Sequence, residues 1–187
     1  MPRAGLDPAV VVAAAAELAD EVGLDKVTMG QLAERLGVRA PSLYKHVDGQ
    51  ADLTRRIAVL AITELGDELR EALQGLAGRD ALWAAAQTMR AYVIEHPGRY
   101  AATVRLDPEW ADDPLVAAAE RTLASLAAVV GGYDLDAVDT IHVLRMLRSL
   151  FHGFALLEAG GGFQMDTDLD ASFAWMVDFV DRGLRGP

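Results

Sequence analysis

The sequence predicts an all-α fold, and three observations carry that expectation. Apolar residues recur at helical spacing in one segment after another of the 187-residue chain. The segments are bounded by helix caps and stops, among them Asp7-Pro8, Thr28, Gly37, Asp48-Gly49, Asp80, His96-Pro97-Gly98, Asp113-Pro114 and Gly131-Gly132. The stretch Thr28 to Val47, TMGQLAERLGVRAPSLYKHV, has the spacing of two short helices joined by a tight turn, a helix-turn-helix. About nine helices are expected. Residues 1–48 form a three-helix N-terminal domain in this reading, and residues 49–187 a larger helical domain.

Met1 to Leu6 reads as an arm carrying Arg3. Asp7 caps the first helix, Pro8 takes its first position, and the helix runs to about Val22. Arg3 followed by Val10 to Ala16 superficially resembles a signal peptide. Asp7 and Pro8 interrupt before that run and Glu17, Asp20 and Glu21 follow it, so a core helix is expected instead. No uninterrupted apolar run approaches the ~18 residues of a membrane span. A cytoplasmic protein with no membrane partner is expected.

Gly23 to Val27 connects to the helix-turn-helix. Thr28 and Gln31 have capping-box spacing, in which each side chain satisfies an orphan amide of the other. Met29, Leu32, Ala33 and Leu36 follow at helical spacing. Gly37 supplies the left-handed position that ends a helix at no steric cost. Val38 plugs the angle between the helices, and Pro41 suits the first turn of the second. Ser42, Leu43, Tyr44, Lys45 and His46 complete it. Leu43 and Val47, four apart, face inward and leave Arg39, Ser42, Tyr44, Lys45 and His46 largely outside.

The run T-x-x-x-L-A-x-x-L-G-V-x-x-x-S-L-Y-x-H is carried by Thr28, Leu32, Ala33, Leu36, Gly37, Val38, Ser42, Leu43, Tyr44 and His46. It resembles the DNA-binding signature of the TetR/AcrR family of one-component transcriptional regulators. The resemblance implies a homodimer on double-stranded operator DNA, acting as a repressor that a small organic effector releases. Thr28, Arg39, Ala40, Pro41, Ser42, Tyr44, Lys45 and His46 are the candidate DNA-binding residues. Arg39 and Ser42 are placed for base edges, where an arginine can pair with guanine through two bonds. Thr28, Tyr44, Lys45 and His46 are placed for phosphates, which fix register without reading sequence.

A formal charge of −11 looks wrong for a nucleic-acid binder, but it is unevenly spread. Between Lys26 and Arg56 lie six cations and three acids, a local +3 that leaves −14 for the rest. A basic face on an acidic body suits a site-specific binder and disfavours non-specific coating of nucleic acid. With 52% hydrophobic residues the chain can bury a real core. The absence of cysteine excludes disulfides, thiolate metal sites and cysteine nucleophiles.

A long helix is expected from Gln50 to about Leu73. Family members usually carry a phosphate-contacting lysine in its first turn, where this chain has Gln50, and Arg55 or Arg56 is the candidate substitute. Gly75 to Gly78 is a loop. Asp80 caps the next helix, which His96-Pro97-Gly98 ends, and Arg99 to Val104 is helical too. Leu106 to Asp113 is a polar loop with Trp110, and Asp113-Pro114 opens a helix that Gly131-Gly132 stops. Trp83, Met89, Tyr92, Tyr100 and Trp110 exceed what packing needs, so they are expected to line an apolar effector cavity, with His142 and Met146 as further candidates. A filled core is the alternative.

The last two helices, from about Leu135 to Ala159 and from Leu169 to Leu184, are apolar on two sides. Ile141, Leu144 and Phe151 form one face of the first, and Met146, Leu150, Phe154 and Leu157 another. Phe173, Met176, Val177, Val180 and Leu184 form one stripe of the second, Trp175 and Phe179 another. Such helices need cover on both sides, and a second subunit is the economical cover. In TetR-like proteins these two helices pair with their copies, so Phe151, Phe154, Trp175 and Phe179 are candidate dimer residues. Phe151-His152-Gly153-Phe154, with Glu158 and Gly160 to Phe163, is similar to a C-terminal domain type bearing a Trp-His-Gly signature, with Phe151 replacing the tryptophan.

Nucleophile-elbow, zinc-helix and phosphate-loop motifs are absent from the sequence, so neither enzymatic chemistry nor a cofactor is expected. His96, His142 and His152 read as buried or interface residues rather than metal ligands. The alternative to a regulator is a helical enzyme or carrier in which the hairpin is incidental. The basic, aromatic outer face of the second short helix favours the regulator.

Overall fold

The computed structural model describes residues 6–104 and 113–186. The arm with Arg3, and the loop with Trp110, lie outside the described residues. Within them the fold is all-α: α1 (Pro8–Val22), a 3-10 turn (Leu24–Lys26), α2 (Met29–Arg35), α3 (Ala40–Leu43), α4 (Gln50–Ala72), α5 (Gly78–Glu95), α6 (Pro97–Val104), α7 (Asp113–Val130), α8 (Ala137–Ala159) and α9 (Leu169–Leu184).

Local chemistry accounts for most of these boundaries. The Asp7 carboxylate accepts from the Val10 amide at 2.8 Å, and Pro8 begins α1. Thr28 and Gln31 form the expected reciprocal capping box on α2. Gly37 ends that helix at φ 64°, where an L side chain is strained. Two starts differ from expectation. α5 begins at Gly78, two residues before Asp80, which sits in its first turn, and α8 begins at Ala137, capped by Asp136.

Packing divides the chain into two units, residues 1–64 with 96–118, and residues 65–95 with 119–187. The expected head, 1–48, lies inside the first. That unit also takes the front of α4, all of α6 and the start of α7, because all share one core. Val11, Ala15 and Ala19 of α1, Leu32 of α2, Leu43 of α3, and Leu53 and Ile57 of α4 are nearly or fully enclosed there with Ala102 and Ala118. Each buried Leu, Ile or Val contributes about 1.5–3 kcal/mol.

The front of α6 lies directly against the end of α1. A Cβ on Gly98 would fall 1.9 Å from the Ala19 carbonyl oxygen, so only glycine allows this approach. Ion pairs lock it. Asp20 accepts from the Arg99 amide at 2.8 Å and from its Nε at 2.7 Å, and Glu64 accepts from Nη1 at 2.9 Å. Burial opposes the Arg99 charge most, yet the hydrogen bonds and charges of Glu64 and Asp20 together raise its pKa.

In the second unit α5 packs on α8 and α9. Phe173 is the hub: its ring lies 5.0 Å from Phe154, 6.1 Å from Trp83 and 6.4 Å from Phe151. The Arg90 guanidinium stands 4.8 Å from that ring, clamps Glu158 through two 2.6 Å bonds and pairs with Asp170 at 2.7 Å. A buried arginine needs such partners. The Tyr133 hydroxyl donates to buried Asp181 at 2.8 Å, and burial followed by that carboxylate pushes the phenol pKa up.

One dimer candidate requires correction here. Phe151 is 0% exposed and belongs to this chain's own core. α8 turns Leu147, Phe151 and Ala155 inward, one helical turn apart, so Phe151 cannot share an outer face with Ile141.

Candidate nucleic-acid interface

Two buried anchors orient the helix-turn-helix. Leu43 and Val47 are 0% and 2% exposed, and they fix which side of α3 faces away from the core. Arg39, Pro41, Tyr44 and Lys45 are exposed there, and Ala40, Ser42 and His46 are half-buried. Thr28 is exposed at the start of α2. All eight expected DNA-binding residues thus reach the surface of one short stretch.

The second helix is shorter than expected. α-Helical geometry ends at Leu43, and Tyr44 to His46 continue as a tight turn. The Lys45 and His46 amides reach back three residues, to Ser42 at 3.4 Å and Leu43 at 2.8 Å, rather than four. Arg39 caps α3 without a side-chain bond to its own helix, so its guanidinium is not engaged there.

The six cations from Lys26 to Arg56 sort into two groups. Arg35 pairs with Glu21 and, at 3.9 Å, with Glu17. Arg56 donates from Nε to Asp52 at 2.8 Å, and Arg55 lies 3.7 Å from the same carboxylate. Lys26, Arg39 and Lys45 are exposed with no ion pair among the described residues. Lys26 was counted in the basic face of the sequence but not among the candidate DNA contacts. The i+3 and i+4 spacing of Asp52 to Arg55 and Arg56 was the signal that those two are occupied. Gln50 stands at the expected phosphate-lysine position but donates from Nε2 to the Val27 carbonyl at 3.1 Å, tying the front of α4 to the turn before α2.

The described effector candidates fall in both units. Met89 and Tyr92 are buried in the second unit, and Trp83 is half-buried against Phe173. Tyr100 is buried in the first unit. His142 and Met146 are exposed, because the inward turn of Leu147 and Phe151 puts them on the far side of α8. His152 is half-buried, and burial, then the Arg148 charge, lowers its pKa.

Residues 11–57 match the family described as bacterial regulatory proteins, tetR family, and residues 82–180 match the tetracyclin repressor-like C-terminal domain. A HTH-type transcriptional regulator of Mycobacterium tuberculosis is 38% identical over 176 residues, covering 94% of this chain and 80% of the relative. The chain belongs to the TetR family. This TetR-family chain is also 32% identical to a HTH-type transcriptional regulator of Bacillus subtilis, over 98% of this chain and 95% of that one. A TetR variant from Acinetobacter baumannii AYE, solved with minocycline, superposes with a TM-score of 0.72 at 25% identity, covering 96% of both chains. The protein is a TetR-family transcriptional regulator with a helix-turn-helix DNA-binding domain. Among its described residues no helix is long and apolar enough to cross a membrane.

Proposed function

We propose that the protein is a cytoplasmic homodimeric repressor that leaves its operator when a small organic ligand binds. The observation that carries the DNA reading is the exposed face of Arg39, Tyr44 and Lys45 on an otherwise acidic chain. Arg39 and Ser42 read base edges in the major groove. Thr28, Tyr44, Lys45 and His46 hold phosphates, with Ala40 and Pro41 against the groove wall. Lys26, which has no ion pair among the described residues, is a further phosphate contact.

The dimer reading rests on the apolar outer faces of α8 and α9. Val138, Ile141 and Leu157 are 62%, 50% and 51% exposed, and Trp175 and Phe179 are 65% and 59% exposed. Isolated exposed apolar residues are ordinary, but this many large ones on α8 and α9 call for cover. The ligand response has the minocycline complex of the Acinetobacter relative as its support, and Trp83, Met89 and Tyr92 are the residues proposed to meet the ligand. α4 contributes residues to both units and is the proposed lever. A ligand acts through it only by binding the two head arrangements unequally, and operator must then weaken ligand binding by the same factor.

Two substitutions separate reading from holding. Arg39→Ala is expected to cost about 1–3 kcal/mol on the preferred site and relax preference at one base pair. Lys45→Ala is expected to weaken all duplexes alike and to lower the salt slope by about one. Binding measured by anisotropy on the DNA upstream of its own gene and on single-base variants distinguishes them. Identical sequence profiles for the two proteins would overturn the assignment.

A further inference from the structure

The outer face of α8 carries a charge pattern that its own chain leaves unused. Leu147, Phe151 and Ala155 are buried residues of α8, and His142 stands on the opposite side, exposed. Asp136 and Asp139 precede His142 at three-residue intervals, and Arg145 and Arg148 follow it at the same intervals. The charges therefore reverse sign about His142. The side chains of Asp139, His142 and Arg145 have no ion pair or hydrogen bond among the described residues. Asp136 caps α8 through Oδ1 alone, accepting from the Val138 and Asp139 amides at 2.8 Å, which leaves Oδ2. Val138, Ile141 and Met146 stand exposed between these charges.

Asp139 and Arg145 are six residues apart, too far along one helix to pair with each other. A helix whose charges reverse sign about one residue is complementary to an antiparallel copy of itself. A two-fold axis beside His142 sets each residue against the one equally far beyond His142 in the partner. Asp139 then meets the partner's Arg145, Asp136 meets the partner's Arg148, and Val138 meets the partner's Met146. A parallel copy would instead set acid beside acid and arginine beside arginine, which is unfavourable.

We propose that α8 pairs antiparallel with α8 of a second copy of this chain about His142, joined twice over by Asp139 and Arg145. This pairing rests on the dimer proposed above and adds its register and its orientation. Charges beside an apolar seam are the usual means by which paired helices select both.

The chain has no cysteine, so single cysteines report the register. His142→Cys sets two thiols at the axis, within the Cα separation of about 4.4–6.8 Å that a disulfide needs, and mild oxidation should link the dimer. Ser149→Cys lies on the same exposed face about two turns on, so its two copies should stand about 21 Å apart and stay unlinked. Asp139→Arg and Arg145→Asp should each raise the homodimer dissociation constant about tenfold, because each creates two like-charge contacts. Mixed together, the two proteins should form a heterodimer of wild-type affinity, since every acid again meets an arginine. Sedimentation equilibrium reads both effects. A wild type that sediments as a monomer would defeat the dimer and this pairing with it. With a wild-type dimer, three results overturn the pairing alone: linkage through Ser149→Cys but not His142→Cys, undisturbed homodimers in both reversals, or no gain on mixing.

Discussion

Gly98→Ala is expected to destabilise the protein by about 3 kcal/mol, at the upper end of ordinary overpacking costs. The added methyl would stand 1.9 Å from the Ala19 oxygen, 2.0 Å from its carbonyl carbon and 2.5 Å from the Asp20 nitrogen. All three are backbone atoms, so no side chain can rotate away. Relief requires α6 to withdraw from α1, which stretches the 2.8 Å bond from the Arg99 amide to Asp20 and the 2.7 Å bond beside it. A charged Asp20 left short of partners adds to the cost. Gly30→Ala is the control. Its Cβ would meet only the Thr28 hydroxyl oxygen at 3.9 Å, and alanine is a better helix former by about 1 kcal/mol. Urea unfolding of the two variants checks the packing. A loss under about 1 kcal/mol for Gly98→Ala would mean that α1 and α6 do not meet backbone to backbone.

Trp175→Glu and Phe179→Glu should each convert the proposed dimer into a folded monomer. The two rings stack at 5.4 Å and stand on the outer face of α9, at 65% and 59% exposure, so the single chain loses little when either is replaced. In a bundle formed with a second copy each would bring a carboxylate into an apolar contact without a partner. That costs several kcal/mol, equivalent to a dissociation constant raised at least about a hundredfold. Phe154→Glu is a poorer probe. Its ring lies 4.8 Å from Phe163 and 5.0 Å from Phe173, so the charge would damage the chain's own core. Sedimentation of wild type and variants decides the matter. Normal dimers in both variants would move the interface elsewhere.

Features set by residues close in sequence were legible from the sequence. Asp7 with Pro8, Thr28 with Gln31, and Gly37 each act within one helical turn, and the structure has each of them in the expected role. The end of α3 was not legible in this way. Ser42 to His46 has a helical pattern, but the last turn tightens where the Lys45 and His46 amides reach back three residues. The choice between the two apolar sides of α8 was also hidden. Ile141 and Phe151 are equally apolar, and only Phe173, from another helix, decides that Phe151 turns inward. The same holds for charge. Arg99 and Asp20 are 79 residues apart, and Arg90 and Glu158 are 68 apart, so no local pattern announces either pair. The first unit gathers α6 and the start of α7 with the helix-turn-helix for that reason as well.

Quantitative footprinting on the DNA upstream of its own gene, repeated across a range of salt, tests the regulator account most directly. Two heads held by one bundle should protect a near-palindrome whose half-sites lie about 34–36 Å apart, with one dimer per site. Log affinity should fall linearly with log salt as phosphate contacts release counterions. Protection of a single asymmetric half-site, or binding that ignores sequence at every salt concentration, would contradict it.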